Sequence, residues 1–386
     1  MKWTNKGHEF DYIGKNFKRN TKVYIYGAGE NGIDLFKRMH YINCIEGFID
    51  NDTQKVGKYI EGKKINSLQD FLLLDKPDHI VVVAQSLENT PLSLQQLLVW
   101  GYIEGRNLFD FHTFLDFYLP IFAYYVYDIV YVPVVSFLMT TLCNLDCKGC
   151  LNFNHFNANR KHYPIERLKK DVDIFFEHVD TIGLFHLCGG EPFLYPQFAE
   201  LINYILSKYS ERIFCLGTTT NGTVIPSDEL CKALCNTKVK VWLDDYRENV
   251  TLSREKMQNV ECMLQANGIN YEVNAVDSWL NIMKESTDDD IKHTLVKATS
   301  CNVPFLSLKD GKIYGCNYCD YAHEANVCDI SPSDYFDLRQ ENDSSYLMEY
   351  VMGYSENGYY SLCKTCKGFS TINQDKLLVA EQYSKA

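Results

Sequence analysis

The sequence lacks an excess of positive charge. Its 386 residues carry 38 Lys and Arg against 50 Asp and Glu, a net charge of −12 with His counted as neutral. That balance argues against non-specific attachment to nucleic acid or to an anionic membrane surface, and leaves room only for a local basic channel. An uncharged apolar run of the roughly 18 residues that a membrane span requires is also missing. The stretch that comes nearest, Phe114 to Leu138, is broken by Asp116, Asp128, Pro120 and Pro133, and reads as a buried linker helix followed by a strand. The polar beginning, Met1 to Phe10, has no signal-peptide core. A cytoplasmic location is therefore expected, where clustered cysteines serve metal or redox chemistry more often than disulfides. Core-forming residues are not short. Hydrophobic residues make up 46% and aromatics 14%, which at this length predicts two or three folded domains.

What the chain does have is cysteine, 15 in all. Three of them stand in Cys143-Asn-Leu-Asp-Cys147-Lys-Gly-Cys150, close behind an apolar run, Val132 to Met139, that reads as a buried strand. Three thiolates are one short of the four that close a zinc or iron–sulfur site, so one position is left for an outside ligand. Downstream, strands and helices alternate. A helix from Ile165 to Asp180 carries Leu168, Val172, Phe175, Phe176 and Val179 on one face, and another runs through Phe198, Leu201, Ile202, Ile205 and Leu206. A third starts at an N-cap near Ser253 and stops at Gly268. Strands are predicted over 182–187, 212–216, 239–243 and 270–276. Alternation of this kind means a parallel sheet, open or closed into a barrel, with its site at the carboxyl ends of the strands. Three unusual motifs fall at such ends: Cys188-Gly189-Gly190-Glu191-Pro192, Gly217-Thr-Thr-Thr-Asn221-Gly222 and Leu243-Asp244-Asp245-Tyr246.

The C-x3-C-x2-C spacing, joined to Gly189-Gly190-Glu191-Pro192 about 40 residues later, resembles the radical S-adenosylmethionine (radical SAM) enzymes. The resemblance implies a partial (β/α)6 barrel and a [4Fe-4S] cluster on Cys143, Cys147 and Cys150. It also implies S-adenosylmethionine on the open iron, with Gly189, Gly190, Glu191 and Pro192 at its amino group. Asn221 matches the family's T-N-G turn, and Asp244 aligns where a polar side chain meets the ribose; capping a helix is the alternative for Asp244 or Asp245. The implied activity is reductive cleavage of S-adenosylmethionine to a 5′-deoxyadenosyl radical that abstracts hydrogen from a substrate, with a flavodoxin or ferredoxin as electron donor. One departure stands out: the aromatic that family members usually have just before the third cysteine is replaced by Gly149, so no adenine-stacking residue is assigned.

Six cysteines fall in the last 90 residues: Cys301, Cys316, Cys319, Cys328, Cys363 and Cys366. Asp310-Gly311 predicts a hairpin turn between them. The pattern resembles the SPASM and shorter twitch extensions of the same family. With no cysteine after Cys366, it implies one auxiliary [4Fe-4S] cluster on Cys301, Cys316, Cys363 and Cys366. Structural zinc is the alternative, and Cys319 could replace a member of the set. If free, Cys319 is a candidate hydrogen-atom donor or acid near the active site, together with Asp320 or Tyr318.

The beginning of the chain reads strand (Lys22–Tyr26), Gly27-Ala-Gly29-Glu-Asn-Gly32, helix (33–40) and strand (45–50), with further elements at 79–84 and 91–100. This is the context of a dinucleotide-binding fingerprint, with Asp50 as the downstream acid. It resembles the Rossmann-like domains that precede sugar-modifying acyltransferases and methyltransferases. Gly27, Gly29, Gly32 and Asp50 are thus candidates for a nucleotide or nucleotide-sugar site, unless the glycines only shape a turn in a docking domain.

The expected architecture is α/β throughout: a Rossmann-like parallel sheet (1–113), a radical SAM core (114–295, with a linker helix over 114–131) and a small cysteine-rich twitch-like domain (296–386). The expected substrate is a carbohydrate or nucleotide-activated sugar, undergoing dehydrogenation, epimerisation or a related change. A peptide-modifying enzyme is the first alternative, and a non-catalytic zinc- or cluster-bearing interaction protein the second.

Overall fold

The computed structural model describes residues 10–74, 78–283, 290–301, 305–369 and 373–383; the polar stretch before Phe10 lies outside them. The chain divides into two compact units, His8–Pro133 and Val134–Ala386.

The smaller unit is built on a six-stranded sheet. Its strands are β1 (Lys22–Tyr26), β2 (Ile45–Ile49), β3 (Tyr59–Ile60), β4 (Lys63–Asn66), β5 (His79–Val83) and β6 (Leu108–Asp110), in the order β3-β4-β2-β1-β5-β6. All neighbours pair in parallel except the β3/β4 hairpin. Counting only the parallel strands, the order is third, second, first, fourth, fifth, which is that of a doubly wound sheet whose switch point lies between β1 and β5. Near-continuous apolar strands are what such a doubly covered sheet requires, and β1 and β5 are buried at every position but the first. The unit extends past residue 113 because the helical run 111–127 packs into it. Phe109 meets Tyr118 at 4.5 Å between ring centroids, and Phe17 meets Phe122 at 5.2 Å. Tyr125 also donates to Asp11 at 2.6 Å.

The larger unit holds β7 (Tyr131–Thr140), β8 (Thr181–Gly189), β9 (Ile213–Thr220), β10 (Val239–Asp244), β11 (Tyr271–Asn274), β12 (Trp279–Leu280), β13 (Leu306–Lys309), β14 (Lys312–Tyr314), β15 (Tyr335–Asp337) and β16 (Lys376–Leu377). Eight of them form one sheet, β11-β10-β9-β8-β7-β13-β14-β15. The ladders β8/β9, β9/β10, β10/β11 and β7/β13 are parallel. Helices Ile165–His178, Phe198–Tyr209 and Thr251–Ala266 supply the crossovers. The expected hairpin at Asp310-Gly311 is there, as β13/β14. Both turn residues take the left-handed conformation, φ 52° and 65°, and both backbone amides donate to the buried Asp171 carboxylate at 3.0 and 2.8 Å. Because β13 pairs with β7, residues 296–386 do not separate from the core as a compact unit of their own. The hairpin serves as the sixth parallel strand and its extension.

Candidate functional site

β7 ends at Thr140 and the chain enters the cysteine loop. There the ends of three neighbouring strands are bound to one another by short hydrogen bonds. Gly190 N donates to Thr140 O and Glu191 N to Leu142 O, both at 2.8 Å. This close approach is why two glycines are needed: a Cβ on Gly189 would lie 2.6 Å from Thr140 Cγ2, and one on Gly190 would collide with the carbonyl of Leu142. Asn152 Nδ2 donates to Gly189 O, which ties the far side of the loop to the same turn. Asn221 Nδ2 donates to Asn144 Oδ1 at 3.0 Å, and Asn144 Nδ2 to Thr223 Oγ1 at 2.7 Å, so the turn after β9 is fastened to the loop as well.

Glu191 is almost fully buried. Its Oε1 accepts from Phe193 N (2.9 Å) and Thr220 Oγ1 (2.7 Å), and its Oε2 from Asn221 N (2.8 Å). Burial pushes this carboxyl up to about 7, against the lowering effect of those three donors. Glu191 therefore braces β8 against β9, and the wall facing the cavity is backbone from Gly189 and Gly190.

The cavity has a volume of about 280 Å³ and is lined on one side by Cys143, Cys147 and Cys150. Asp244, at the end of β10, also faces it. Its oxygens accept from Tyr246 OH (2.7 Å) and Asn274 Nδ2 (2.9 Å), and burial raises its pKa. Burial likewise pushes the Cys143 and Cys147 thiols up to about 12. Thiols in such surroundings become thiolates only with a compensating cation, which is what a metal site supplies. Among the described residues, no three His, Cys, Asp or Glu side chains converge so as to hold a single ion. Three thiols on one cavity are the donor set that a cluster with one open iron requires.

Residues 137–296 match the family described as the Radical SAM superfamily. The matched stretch contains the cysteine loop and the turns at Gly189, Asn221 and Asp244. Over 95 residues it is 28% identical to the antilisterial bacteriocin subtilosin biosynthesis protein AlbA of Bacillus subtilis (strain 168). That match covers 25% of this chain and 20% of the relative, so the chain spans about a fifth of the length of the curated protein it matches. Similar solved structures include native anSMEcpe with bound AdoMet, at 13% identity and a TM-score of 0.40 over 56% of this chain and 80% of that one. BtrN in complex with AdoMet and 2-DOIA has 15% identity and a TM-score of 0.40 over 65% and 97%. Streptococcus suis SuiB bound to precursor peptide SuiA has 16% identity and a TM-score of 0.31 over 66% and 47%.

Away from the cysteines, the same cavity is lined by further polar groups. Ser136 (β7), Cys188 (β8) and Tyr321 form a closed triangle: Tyr321 OH donates to Ser136 Oγ at 2.6 Å, and Cys188 Sγ lies 3.0 Å from Tyr321 OH and 3.1 Å from Ser136 Oγ. His186 bonds Thr219 Oγ1 at 2.9 Å, and burial lowers its pKa to about 4, leaving it neutral. The available signal was the alternation on β8, where His186 and Cys188 interrupt an apolar strand at i and i+2 and so share a face.

Cys319 and Asp320, the candidate catalytic residues, are both fully buried, and neither lines the cavity. Asp320 is bound to Ser307 Oγ (2.6 Å) and Lys309 Nζ (3.2 Å). Cys319 neighbours Cys328, whose Sγ lies 3.9 Å from Cys319 O. Helix Asn317–Glu324 turns Asn317, Tyr318 and Tyr321 to the cavity instead. Cys301, Cys316, Cys363 and Cys366 come together around a separate void of about 30 Å³, walled by Tyr318, Tyr360 and Phe369, and Cys319 is not part of it. Gly368 N donates to Cys366 Sγ at 3.2 Å.

In the smaller unit, a cavity of about 640 Å³ opens at the ends of β1, β2 and β5 and includes Gly27, Gly29 and Asp50. Gly27 has φ 126°, and a Cβ on Gly32 would collide with Gly27 O. Asp50 accepts from Ala28 N and Asp52 N, both at 2.9 Å, and from Lys55 Nζ at 3.3 Å. Burial raises its pKa, but these donors outweigh burial and hold the carboxyl below the usual range. Asp50 thus anchors the glycine loop as well as bordering the cavity.

Proposed function

We propose that the chain is an enzyme that holds a [4Fe-4S] cluster on Cys143, Cys147 and Cys150, and S-adenosylmethionine against the turns at Gly189, Gly190, Asn221 and Asp244. Its proposed action is removal of a hydrogen atom from the uncharged, hydroxyl-bearing sugar of its substrate, a carbohydrate or nucleotide-activated sugar. When bound, the cluster and S-adenosylmethionine supply a carbon-centred radical able to take hydrogen from an unactivated C–H. This chain's residues bind, orient and exclude water. The backbone at Gly189 and Gly190 leaves room for the cofactor's amino group. Asp244 retains lone pairs for two vicinal hydroxyls.

The observation that supports the substrate class is the cavity lining opposite the cysteines. Ser136, His186, Thr219, Asn317, Tyr318 and Tyr321 offer hydroxyls, an amide and a neutral imidazole, with no charged side chain among them. Asn317 borders the cavity, and its buried Oδ1 has no hydrogen-bond partner among the described residues. A site of this kind exchanges hydrogen bonds with a sugar and gives no counter-charge to an ionic substrate. The smaller unit, with its glycine-lined cavity, is proposed as a separate site for a nucleotide or nucleotide sugar. A peptide substrate is the second reading, favoured by the likeness to AlbA, whose name assigns it to bacteriocin biosynthesis.

An auxiliary [4Fe-4S] cluster is proposed on Cys301, Cys316, Cys363 and Cys366, which surround one void. A flavodoxin- or ferredoxin-type donor would supply electrons. The anaerobically purified protein should be brown with about eight iron atoms per chain. Dithionite and S-adenosylmethionine should yield 5′-deoxyadenosine, more of it with a nucleotide sugar present, and the Cys143→Ala/Cys147→Ala/Cys150→Ala variant should yield none. A colourless zinc protein without 5′-deoxyadenosine would overturn the enzyme reading.

A further inference from the structure

The cysteine loop is not finished by its own neighbours in sequence. A distant segment, Lys376 to Tyr383, lies antiparallel to it, with Gln382 opposite Cys147. Lys148 N donates to Glu381 O, and Tyr383 N to Asp146 O at 2.9 Å. Outside the backbone, Lys148 Nζ pairs with Glu381 at 2.6 Å. The Tyr383 ring stacks on His155 at 3.5 Å between centroids, with 12° between the planes. Val379 and Ala380 are buried in one apolar cluster with Leu145, Cys147 and Tyr246, and Cys143 and Cys150 pack against it.

Two features of this contact exceed simple packing. The first is at Gly149, which has φ 67°, and where any Cβ would collide with Leu377 Cδ1. The space that a side chain before the third cysteine would use is filled from the distant segment. Leu377 is held there through β16, whose register pairs it with Trp279 of the cavity wall. The second is the Gln382 amide. Its Oε1 accepts from Asp146 N at 2.8 Å, and its Nε2 donates to Ala380 O at 2.7 Å and to Cys147 Sγ at 3.0 Å. With the oxygen fixed by an N–H and one amide hydrogen fixed by a carbonyl, the other hydrogen is directed at the sulfur.

We propose that Lys376–Tyr383 is a strap over the cluster loop, and that Gln382 is a positioning residue that sets the reduction potential of the cluster through its N–H on Cys147. The inference rests on the radical SAM reading of Cys143, Cys147 and Cys150. An N–H dipole on a ligating sulfur stabilises the negative charge that arrives with one electron from an external donor, and so raises the potential. The strap also shields the loop from water on that side.

The test is an anaerobic potentiometric titration of the full chain, read by low-temperature EPR. The signal that changes on adding S-adenosylmethionine identifies the cluster concerned and separates it from any other. Gln382→Leu removes all three hydrogen bonds. Gln382→Glu keeps an acceptor for Asp146 N but removes the donor to sulfur, so it reports even where leucine loosens the loop. Both variants should shift the midpoint to more negative potential, Gln382→Glu further because it adds charge. Gln382→Leu should also release iron from that cluster to a chelator several-fold faster than wild type. Unchanged midpoints in both variants at full iron content would overturn the proposal. Absence of any S-adenosylmethionine-responsive signal in the wild type would instead overturn the enzyme reading, and the proposal with it.

Discussion

The backbone N–H of Asn221 donates to Glu191 Oε2 at 2.8 Å, joining the turn after β9 to the turn after β8 through a buried carboxylate. Its other oxygen accepts from Phe193 N and Thr220 Oγ1, so all three hydrogen-bond partners of Glu191 among the described residues are donors. Glu191→Gln puts an NH2 group opposite one of those N–H groups, whichever way the amide turns. An unsatisfied buried donor of this kind costs about 1–3 kcal/mol. Chemical denaturation should register that loss, and equilibrium dialysis should show weaker S-adenosylmethionine binding because both turns shift.

The glycines of the turn after β1 differ in what they can tolerate. Gly32→Ala drives a Cβ into the carbonyl of Gly27, and overpacking against backbone should cost upwards of about 2 kcal/mol. Gly29 has an ordinary extended conformation, φ −107°, and nothing within 4 Å of an added Cβ. Gly29→Val should therefore keep the fold to within about 1 kcal/mol. Calorimetric binding of a nucleotide sugar, lost in Gly29→Val at unchanged melting temperature, would assign the cavity. Retained binding would remove that ligand from this loop.

Among the downstream cysteines, Cys363→Ala should lower iron by about four atoms per chain, and Cys319→Ala by none. The distinction rests on Cys363 bordering the void shared with Cys301, Cys316 and Cys366, whereas Cys319 is turned away beside Cys328. Colorimetric iron analysis of the anaerobically purified variants decides it.

His186 gives a pH signature. Its folded pKa, lowered by burial to about 4, lies below the ordinary value of 6.5. Between those values the unfolded chain takes up a proton that the folded chain does not, so stability is lost as pH falls from 6.5 towards 4. His186 sits beside Trp242 and Phe305, which would accept a phenyl ring. Urea midpoints should fall more steeply between pH 7 and pH 5 in wild type than in His186→Phe.

Much of this was legible in the sequence, for identifiable reasons. The strands at 22–26, 45–49 and 79–83 are apolar and buried on both faces, and the glycine turn announces the first crossover. Strands β3, β4 and β6 were not legible, since two to four residues carry no period. The pairing of β13 with β7 joins residues about 170 positions apart, and nothing local encodes it. In helix Asn317–Glu324, Asn317 and Tyr321 share a face at i and i+4, and Cys319, two positions from each, falls on the opposite side. Asp320 lies next to Asn317 in phase, but its carboxylate is taken up by Ser307 and Lys309. The role of Cys188 is not local either, since its partners Ser136 and Tyr321 lie 52 and 133 positions away.

The partner of Cys147 is Gln382, 235 positions further along the chain. At ordinary rates of synthesis, roughly 5–20 residues per second, the cysteine loop leaves the ribosome roughly 10–50 s before Gln382 is made. Through that interval the three thiols have no cover from this segment, and they are open to whatever delivers iron and sulfide. Arrival of residues 376–383 then covers the loop, so the proposed cluster has an interval in which it can be delivered before the fold is complete.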